Sequence, residues 1–210
     1  MTEFIKVAFN PDFLDYREWM KIREKKHSSV AEGTEPNQVL LFEFSEVYTA
    51  GREVGVKGLP TDGSRVIRDS RPGHVGWHGP GQLMISPVIK FTDSGNGSAY
   101  GTWMEQIIID TVAEFGIEGI RIAGKAGVWV ETPTGFSKIG YLGDGIANGV
   151  TEYGCVINCN NSLAPYDYIV TCGNIGAKST SIFELTGQDI SPEELASLVI
   201  EKINSNPLAA

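Results

Sequence analysis

Arg71-Pro-Gly-His-Val-Gly-Trp-His-Gly-Pro-Gly-Gln82 holds two of the chain's three histidines within twelve residues, among four glycines and two prolines. A connecting turn needs about two to five residues and seldom concentrates glycine, proline and imidazole in this way. Gly73, Gly76, Gly79 and Gly81 let the backbone take positive φ and approach a ligand closely, while Pro72 and Pro80 stiffen the path. The plain alternative is a structural loop with stacked His and Trp. A preorganised substrate-binding loop accounts for more of the composition.

The whole chain sets the frame for that loop. Its 210 residues suit one domain, and 41 % hydrophobic content is enough for a real core. A net charge of −9 argues against nucleic acid as a partner, because phosphates must be neutralised by Lys and Arg. No apolar run approaches the ~20 residues of a membrane span, and Met1-Thr-Glu-Phe-Ile-Lys6 lacks a signal-peptide core. An odd count of three cysteines does not suggest a disulfide framework and points to a reducing cytoplasm.

Outward from the loop, alternating apolar residues predict strands at 4–9, 39–44, 47–51, 65–68 and 83–91, with a Gly-rich connection at 55–64. Pro87 suggests an edge or a bulge in the last of these. Asn10-Pro11 reads as a helix cap followed by proline at the first helical position, with a helix to about Val30 that places Phe13, Tyr16, Trp19 and Met20 on its apolar side. A second helix is expected over 100–115, stopped by Gly116. Short strands follow at 117–122, 127–131, 136–142 and 149–159. Ser191-Pro-Glu-Glu194 is a capping box that opens a last helix to about Ile203. Single long helices between runs of strands predict one α+β domain, residues 1–210, with a mixed sheet flanked by helices.

Three places carry possible chemistry. Cys172 ends an apolar run, Tyr168-Ile-Val-Thr-Cys-Gly173, where a turn at glycine would leave N–H groups free to hold an oxyanion. A core cysteine is the bland alternative. Lys138 lies in Phe136-Ser-Lys-Ile-Gly-Tyr-Leu142, where alternation puts Phe136, Lys138 and Leu142 on one face and partly desolvates the amine. A lysine snorkelling to solvent is the competing reading. Cys155 and Cys159, with Cys172 and His78, offer four potential metal ligands. They lack the paired knuckle spacing of zinc sites, and no metal is expected.

Taken together, Arg71-x-Gly73-x-x-x-x-His78-Gly-Pro-Gly-Gln82, Lys138-Ile-Gly140, Gly154-x-x-x-Asn158 and Cys172-Gly173 resemble the lipoyl(octanoyl) transferase family, in order and spacing over nearly the whole chain. Leu40-Leu-Phe-Glu43 and Tyr48-Thr-Ala-Gly-Arg52 belong to the same match. The resemblance implies the fold shared by biotin and lipoate protein ligases, and transfer of an octanoyl group from octanoyl-acyl carrier protein to a lysine. The acceptors it implies are lipoyl domains of 2-oxoacid dehydrogenases or the glycine cleavage H protein. Cys172 would be the acyl-thioester nucleophile and Lys138 its activating partner. Arg71, Pro72, Gly73, His74, Val75, Gly76, Trp77 and His78 would line the acyl pocket, completed by Tyr141, Leu142, Gly143, Gly154, Cys155 and Val156. Pro72, Gly76, Trp77, Tyr153 and Thr171 depart from the residues usual in that family.

The implied chemistry needs neither nucleotide nor metal, because exchange of thioesters is nearly neutral and thioester to amide is downhill. No cofactor is expected, and the chain is expected to act as a monomer. Acyl carrier proteins are acidic, so docking on this acidic chain needs a local basic patch, for which Arg65, Arg68 and Arg71 are the expectation. The rival readings are an ATP-dependent ligase, a cysteine hydrolase or amidase releasing free octanoate, and a non-enzymatic acyl- or carrier-binding module.

Overall fold

The computed structural model describes residues 2–55, 58–91, 97–169 and 178–208. Cys172, Gly173 and Thr171 lie outside the described residues. A long mixed sheet runs in the order β1(Glu3–Ala8), β2(Gln38–Phe42), β6(Gln82–Val88), β10(Val150–Asn158), β9(Gly135–Ala147), β8(Lys125–Thr132), β7(Ile120–Ile122), with β11(Lys178–Ser179) paired to β9. A second sheet of three strands has the order β4(Val66–Arg68), β3(Val47–Ala50), β5(Val75–His78). This is the expected α+β architecture.

Helices cover both faces of the long sheet. On one face α2(Gly97–Ala113) and α4(Pro192–Ser205) bury Trp103, Ile107, Ile108, Leu195 and Val199 against Leu83, Ile85, Cys155 and Ile157. On the other, α1(Tyr16–Glu32) packs Tyr16, Trp19 and Val30 on Leu40, Phe42, Met84 and Val156. Central strands β2 and β6 are buried on both faces, which is why their sequences read as continuous apolar runs. No helix among the described residues is long and apolar enough to cross a membrane.

Four expectations are corrected. Helix α1 starts at Asp15, whose carboxylate accepts from the N–H groups of Arg17 and Glu18 at 2.8 and 3.2 Å. Asn10-Pro11 instead forms a turn closed by Asp12 N–H donating to the Phe9 carbonyl at 2.7 Å, after which Leu14 bridges to Phe44. Strand β6 is interior, not an edge; its pairing with β10 stops at Ile85, so Pro87 needs no ladder donor there. Thr151 closes the gap by donating its hydroxyl to the Pro87 carbonyl at 2.7 Å and accepting from Ile89 N–H at 2.9 Å.

The glycine-rich stretch is not all loop, because Val75–His78 forms β5, antiparallel to β3. Of its glycines only Gly73 and Gly81 take positive φ. Phe136, expected to share a buried face with Lys138, is exposed near the start of β9, and Leu142 lies beyond an irregularity that parts it from Lys138. Between the pairs Val128–Gly140 and Trp129–Lys138, β8 advances one residue and β9 two. That β-bulge shifts the alternation and brings Lys138 to the side of Tyr141. The capping box at Ser191 and Glu194 forms as expected.

Candidate active site

A cavity of about 370 Å³ opens between the two sheets. Arg71–His78, Tyr141–Gly143 and Gly154–Val156, three stretches far apart in sequence, all line it. The cavity also takes in residues that sequence reading assigned only to the core. Trp19, Phe44 and Met84 form its buried end, whereas Glu53, His74 and Lys125 are at its open side. An apolar end with a polar mouth suits an acyl chain attached to a polar carrier.

The turn at Gly79–Gly81 is clamped from below. Glu43, 2 % exposed, accepts from Gly81 N–H at 2.8 Å and from Asn10 N–H at 3.3 Å. Gly81 takes φ 85°, and a Cβ there would lie 2.6 Å from both Asn160 Oδ1 and Asn161 N. A side chain would therefore force the turn off its clamp. Glu43 was quoted in the family match, but nothing in its own neighbourhood marks it as a buried anchor.

From this turn a hydrogen-bonded chain crosses the sheet. His78 Nδ1 stands 2.8 Å from Gln82 Oε1. The Gln82 amide donates to Asn158 Oδ1 and to the Tyr166 hydroxyl, at 2.9 and 2.8 Å. Tyr166 in turn donates to Asn158 Oδ1, whose own amide donates to the Thr180 carbonyl. Thr180 N–H donates to the Lys138 carbonyl at 2.9 Å. Because Gln82 presents an oxygen, His78 must donate from Nδ1, which leaves Nε2 with its lone pair in the neutral ring. Burial pulls the His78 pKa down to about 4, outweighing the Gln82 bond, so the ring is neutral near pH 7. The ring stacks on Tyr16 and meets Phe44 at a tilt, centres 5.9 and 5.1 Å away.

Behind the cavity wall, Asp69 takes a bidentate bond from Arg23 at 2.7 and 3.1 Å and the Tyr16 hydroxyl at 2.8 Å. Burial works to raise the Asp69 pKa, but the Arg23 and Tyr16 bonds hold it below the usual carboxylate range. Burial, then the Asp69 charge, pushes the Tyr16 phenol well above its ordinary value. The Arg23 guanidinium also lies over the Tyr153 ring, 4.3 Å from its centre. This cluster fixes α1 to β4 through residues 46 and 53 positions apart, and no sequence periodicity announces it.

Arg71 is turned inward. It donates to the backbone carbonyls of Pro72, Thr49 and His74 and to the Thr49 hydroxyl, so it shapes the loop rather than facing a partner. Arg65 and Arg68 are exposed. Trp77 packs edge-on to Tyr166 and donates its indole N–H to Glu46 at 3.3 Å.

Lys138 is only 1 % exposed. Its Nζ lies over the Tyr141 ring, 4.7 Å from the centre, and over the Trp129 ring at 5.3 Å. Tyr141 lines the cavity and stacks parallel to Tyr166 at 5.4 Å. Gly127 makes the space for the lysine: at φ 100°, a Cβ there would lie 2.2 Å from Lys138 Cε and 2.5 Å from the Gly140 carbonyl oxygen. The described residues on either side of the Cys172 segment converge here. Tyr166, in the 3-10 turn Ala164–Tyr168, stacks on Tyr141, and Ser179 on β11 pairs with Lys138 and bonds the Tyr141 hydroxyl at 2.5 Å.

Cys155 lines the cavity but is buried, and desolvation pushes its thiol far above the ordinary range. Cys159 is shifted the same way, mainly by burial, with its thiol on the Ile157 carbonyl. Neither supplies thiolate near pH 7. Among the described residues no group of three His, Cys, Asp or Glu side chains is placed to hold a metal ion.

Residues 15–204 match the family model of the lipoyl protein ligase A/B catalytic domain. An octanoyltransferase of Renibacterium salmoninarum is 39 % identical over 209 residues, covering 98 % of this chain and 89 % of that protein. One from Pseudarthrobacter chlorophenolicus is 37 % identical, covering 97 % and 93 %. Among solved structures, a bipartite lipoate protein ligase of Thermoplasma acidophilum superposes with a TM-score of 0.67 at 12 % identity, over 97 % of this chain and 82 % of that one. Biotin protein ligase of Aquifex aeolicus gives 0.52 at 13 %, over 98 % and 67 %. At these identities the structural likeness speaks for the fold alone.

Proposed function

This chain belongs to the lipoyl protein ligase A/B catalytic-domain family and is an acyltransferase of the octanoyltransferase type, and from that premise we propose that it forms an octanoyl thioester on Cys172 with Lys138 as proton carrier. The observation that carries the proposal is the convergence on Lys138. Both described flanks of the Cys172 segment meet at Tyr141 and Lys138, at the wall of a cavity with an apolar end.

The cycle closes on these two residues. A Cys172 thiolate beside a Lys138 ammonium attacks the carbonyl carbon of the carrier-bound octanoyl thioester. The bond from that carbon to the pantetheine sulfur breaks, and the departing thiolate takes the Lys138 proton. The acceptor lysine, as free amine, then attacks the enzyme thioester, and the carbon–sulfur bond to Cys172 breaks. The proton shed by the new amide nitrogen returns to Lys138, which restores the starting ion pair. Gly173 and the glycine-rich stretch supply N–H groups to the oxyanion.

The donor is an octanoyl-acyl carrier protein and the acceptor a lipoyl-domain lysine. Arg65 just before β4 and Arg68 at its end, with exposed Arg17 and Lys21 on α1, form the basic surface for the acidic carrier. Arg71 leaves that patch because its guanidinium is spent on the loop. Residues 1–210 act as one catalytic domain and as a monomer. The setting is a reducing cytoplasm, which keeps Cys172 a thiol.

The test is a transfer assay with octanoyl-carrier protein and a lipoyl domain in the absence of nucleotide. Octanoyl-lysine on the lipoyl domain is the expected product. Formation only with ATP and free octanoate would make the chain a ligase, and release of free octanoate would make it a hydrolase.

A further inference from the structure

The Lys138 ammonium is taken almost wholly out of water, and such burial is costly unless the charge is met by oriented groups. Two ring faces meet it: Tyr141 at 4.7 Å and Trp129 at 5.3 Å from Nζ to ring centre. Each ring is held by bonds that do not involve the lysine. The Tyr141 hydroxyl bonds Ser179 and its other surroundings include the parallel Tyr166 ring, while the Trp129 indole N–H donates to the Lys125 carbonyl at 3.1 Å. The β-bulge at Ile139 sets Lys138 beside Tyr141, and Gly127 clears the space its Cε and Nζ occupy. The rings therefore stand ready before the ammonium is placed between them.

We propose that Trp129 and Tyr141 are positioning residues that cradle the Lys138 ammonium and aim it along the Tyr141 side of β9, and so set the rate of enzyme octanoylation. This rests on the reading of Lys138 as proton carrier. The negative faces of the rings attract the ammonium and fix where it points, and the ammonium is the form that both stabilises a thiolate and gives a proton to the leaving sulfur. Aliphatic residues at 129 and 141 would leave the same volume and none of that attraction.

The direct test changes ring electronics at constant shape. Phenylalanine and 3,4,5-trifluorophenylalanine are placed in turn at position 141, and single-turnover octanoylation is followed with octanoyl-carrier protein. Fluorine empties the ring face of negative potential, and the trifluoro variant is expected to be roughly 3- to 30-fold slower than the phenylalanine variant. The loss should fall on the limiting rate and leave the half-saturating carrier concentration unchanged. At the second ring, Trp129→Phe is expected to recover most of the rate that Trp129→Leu loses, with melting temperatures recorded for both. Equal rates for the two residues at 141, together with equal rates for the two substitutions at 129, would overturn the proposal. Lys138→Ala separates the layers: wild-type octanoylation in that variant removes the proton carrier and the cradle with it. A dead Lys138→Ala beside flat comparisons at both 141 and 129 removes the cradle alone.

Discussion

Gly127→Ala is a sharp probe of how the lysine is housed. Two costs are separable. The first is backbone: φ is 100°, and an L side chain in such a conformation costs about 1–2 kcal/mol. The second is contact: the new methyl would stand 2.2 Å from Lys138 Cε and 2.5 Å from the Gly140 carbonyl oxygen. The carbonyl belongs to the sheet and cannot retreat cheaply, whereas the lysine side chain can swing away. Overpacking of this kind costs about 1–3 kcal/mol. The total destabilisation is therefore about 2–5 kcal/mol, with Lys138 driven from its place between the rings. Gly135→Ala is the matched control, because its φ is 114° and a methyl there meets nothing within 4 Å. Urea unfolding measures the stability of each variant, and single-turnover octanoylation measures the chemistry. Gly127→Ala should lose about 1–3 kcal/mol more than Gly135→Ala and should be slower by at least about tenfold. Equal stability and equal rates in the two variants would refute the housing described for Lys138.

Three further outcomes follow from the site. Glu43→Gln keeps the shape but weakens the charge-assisted bond to Gly81 N–H and confronts Asn10 N–H with an amide donor, so unfolding free energy should fall by about 1.5–3 kcal/mol; an unchanged urea midpoint would count against the clamp. Met84→Ala lengthens the buried end of the cavity, and at ~0.8 kcal/mol per methylene the preference for decanoyl over octanoyl donors should rise roughly tenfold in kcat/KM, a shift that would not occur if Met84 were remote from the acyl tail. His78 is held near pKa 4 in the fold and returns to about 6.5 when unfolded, so the unfolded chain binds the extra proton first and stability is lost as pH falls from about 6.5 towards 4. The full effect is no more than about 3 kcal/mol, since the ring edge opens to the cavity, and it should vanish in His78→Asn when unfolding free energies at pH 7 and pH 4.5 are compared for both proteins.

The long elements were legible because their periods are long enough to read. Helix α2 and strands β8 to β10 follow from apolar spacing, and α4 from its capping box. The 3-10 turn Ala164–Tyr168, the helix α3(Ile182–Thr186) and β11 have at most five residues each, too few to show a period. Strand β5 is hidden by its composition, since glycine and histidine at alternate positions carry no strand signature, and only its pairing with β3 makes it extended. The stretch from Arg71 to His78 was marked by its own composition, whereas the cavity-lining segments of β9 and β10 were legible through family resemblance and not through spacing. Trp19, Phe44 and Met84 carry the same apolar signal as any core residue, so their place at the cavity end appears only when α1 is docked on the sheet. Glu43 and the Arg23–Asp69–Tyr16 cluster are contacts between distant stretches, which a single sequence does not encode in its periodicity. The bulge at Ile139 defeated the alternation that placed Lys138 with Leu142, because one extra residue reverses every side chain beyond it.

In the proposed cycle a thiol at position 172 carries the acyl group with the help of the amine at 138. Mixing the protein with octanoyl-carrier protein, quenching in acid and mapping the acylated peptide by mass spectrometry measures this directly. A hydroxylamine-labile octanoyl group on Cys172, formed rapidly by the wild-type chain and at a severely reduced rate by Lys138→Ala, is the predicted result. A stable octanoyl adduct on another residue, or full-rate product formation by Cys172→Ser, would contradict it.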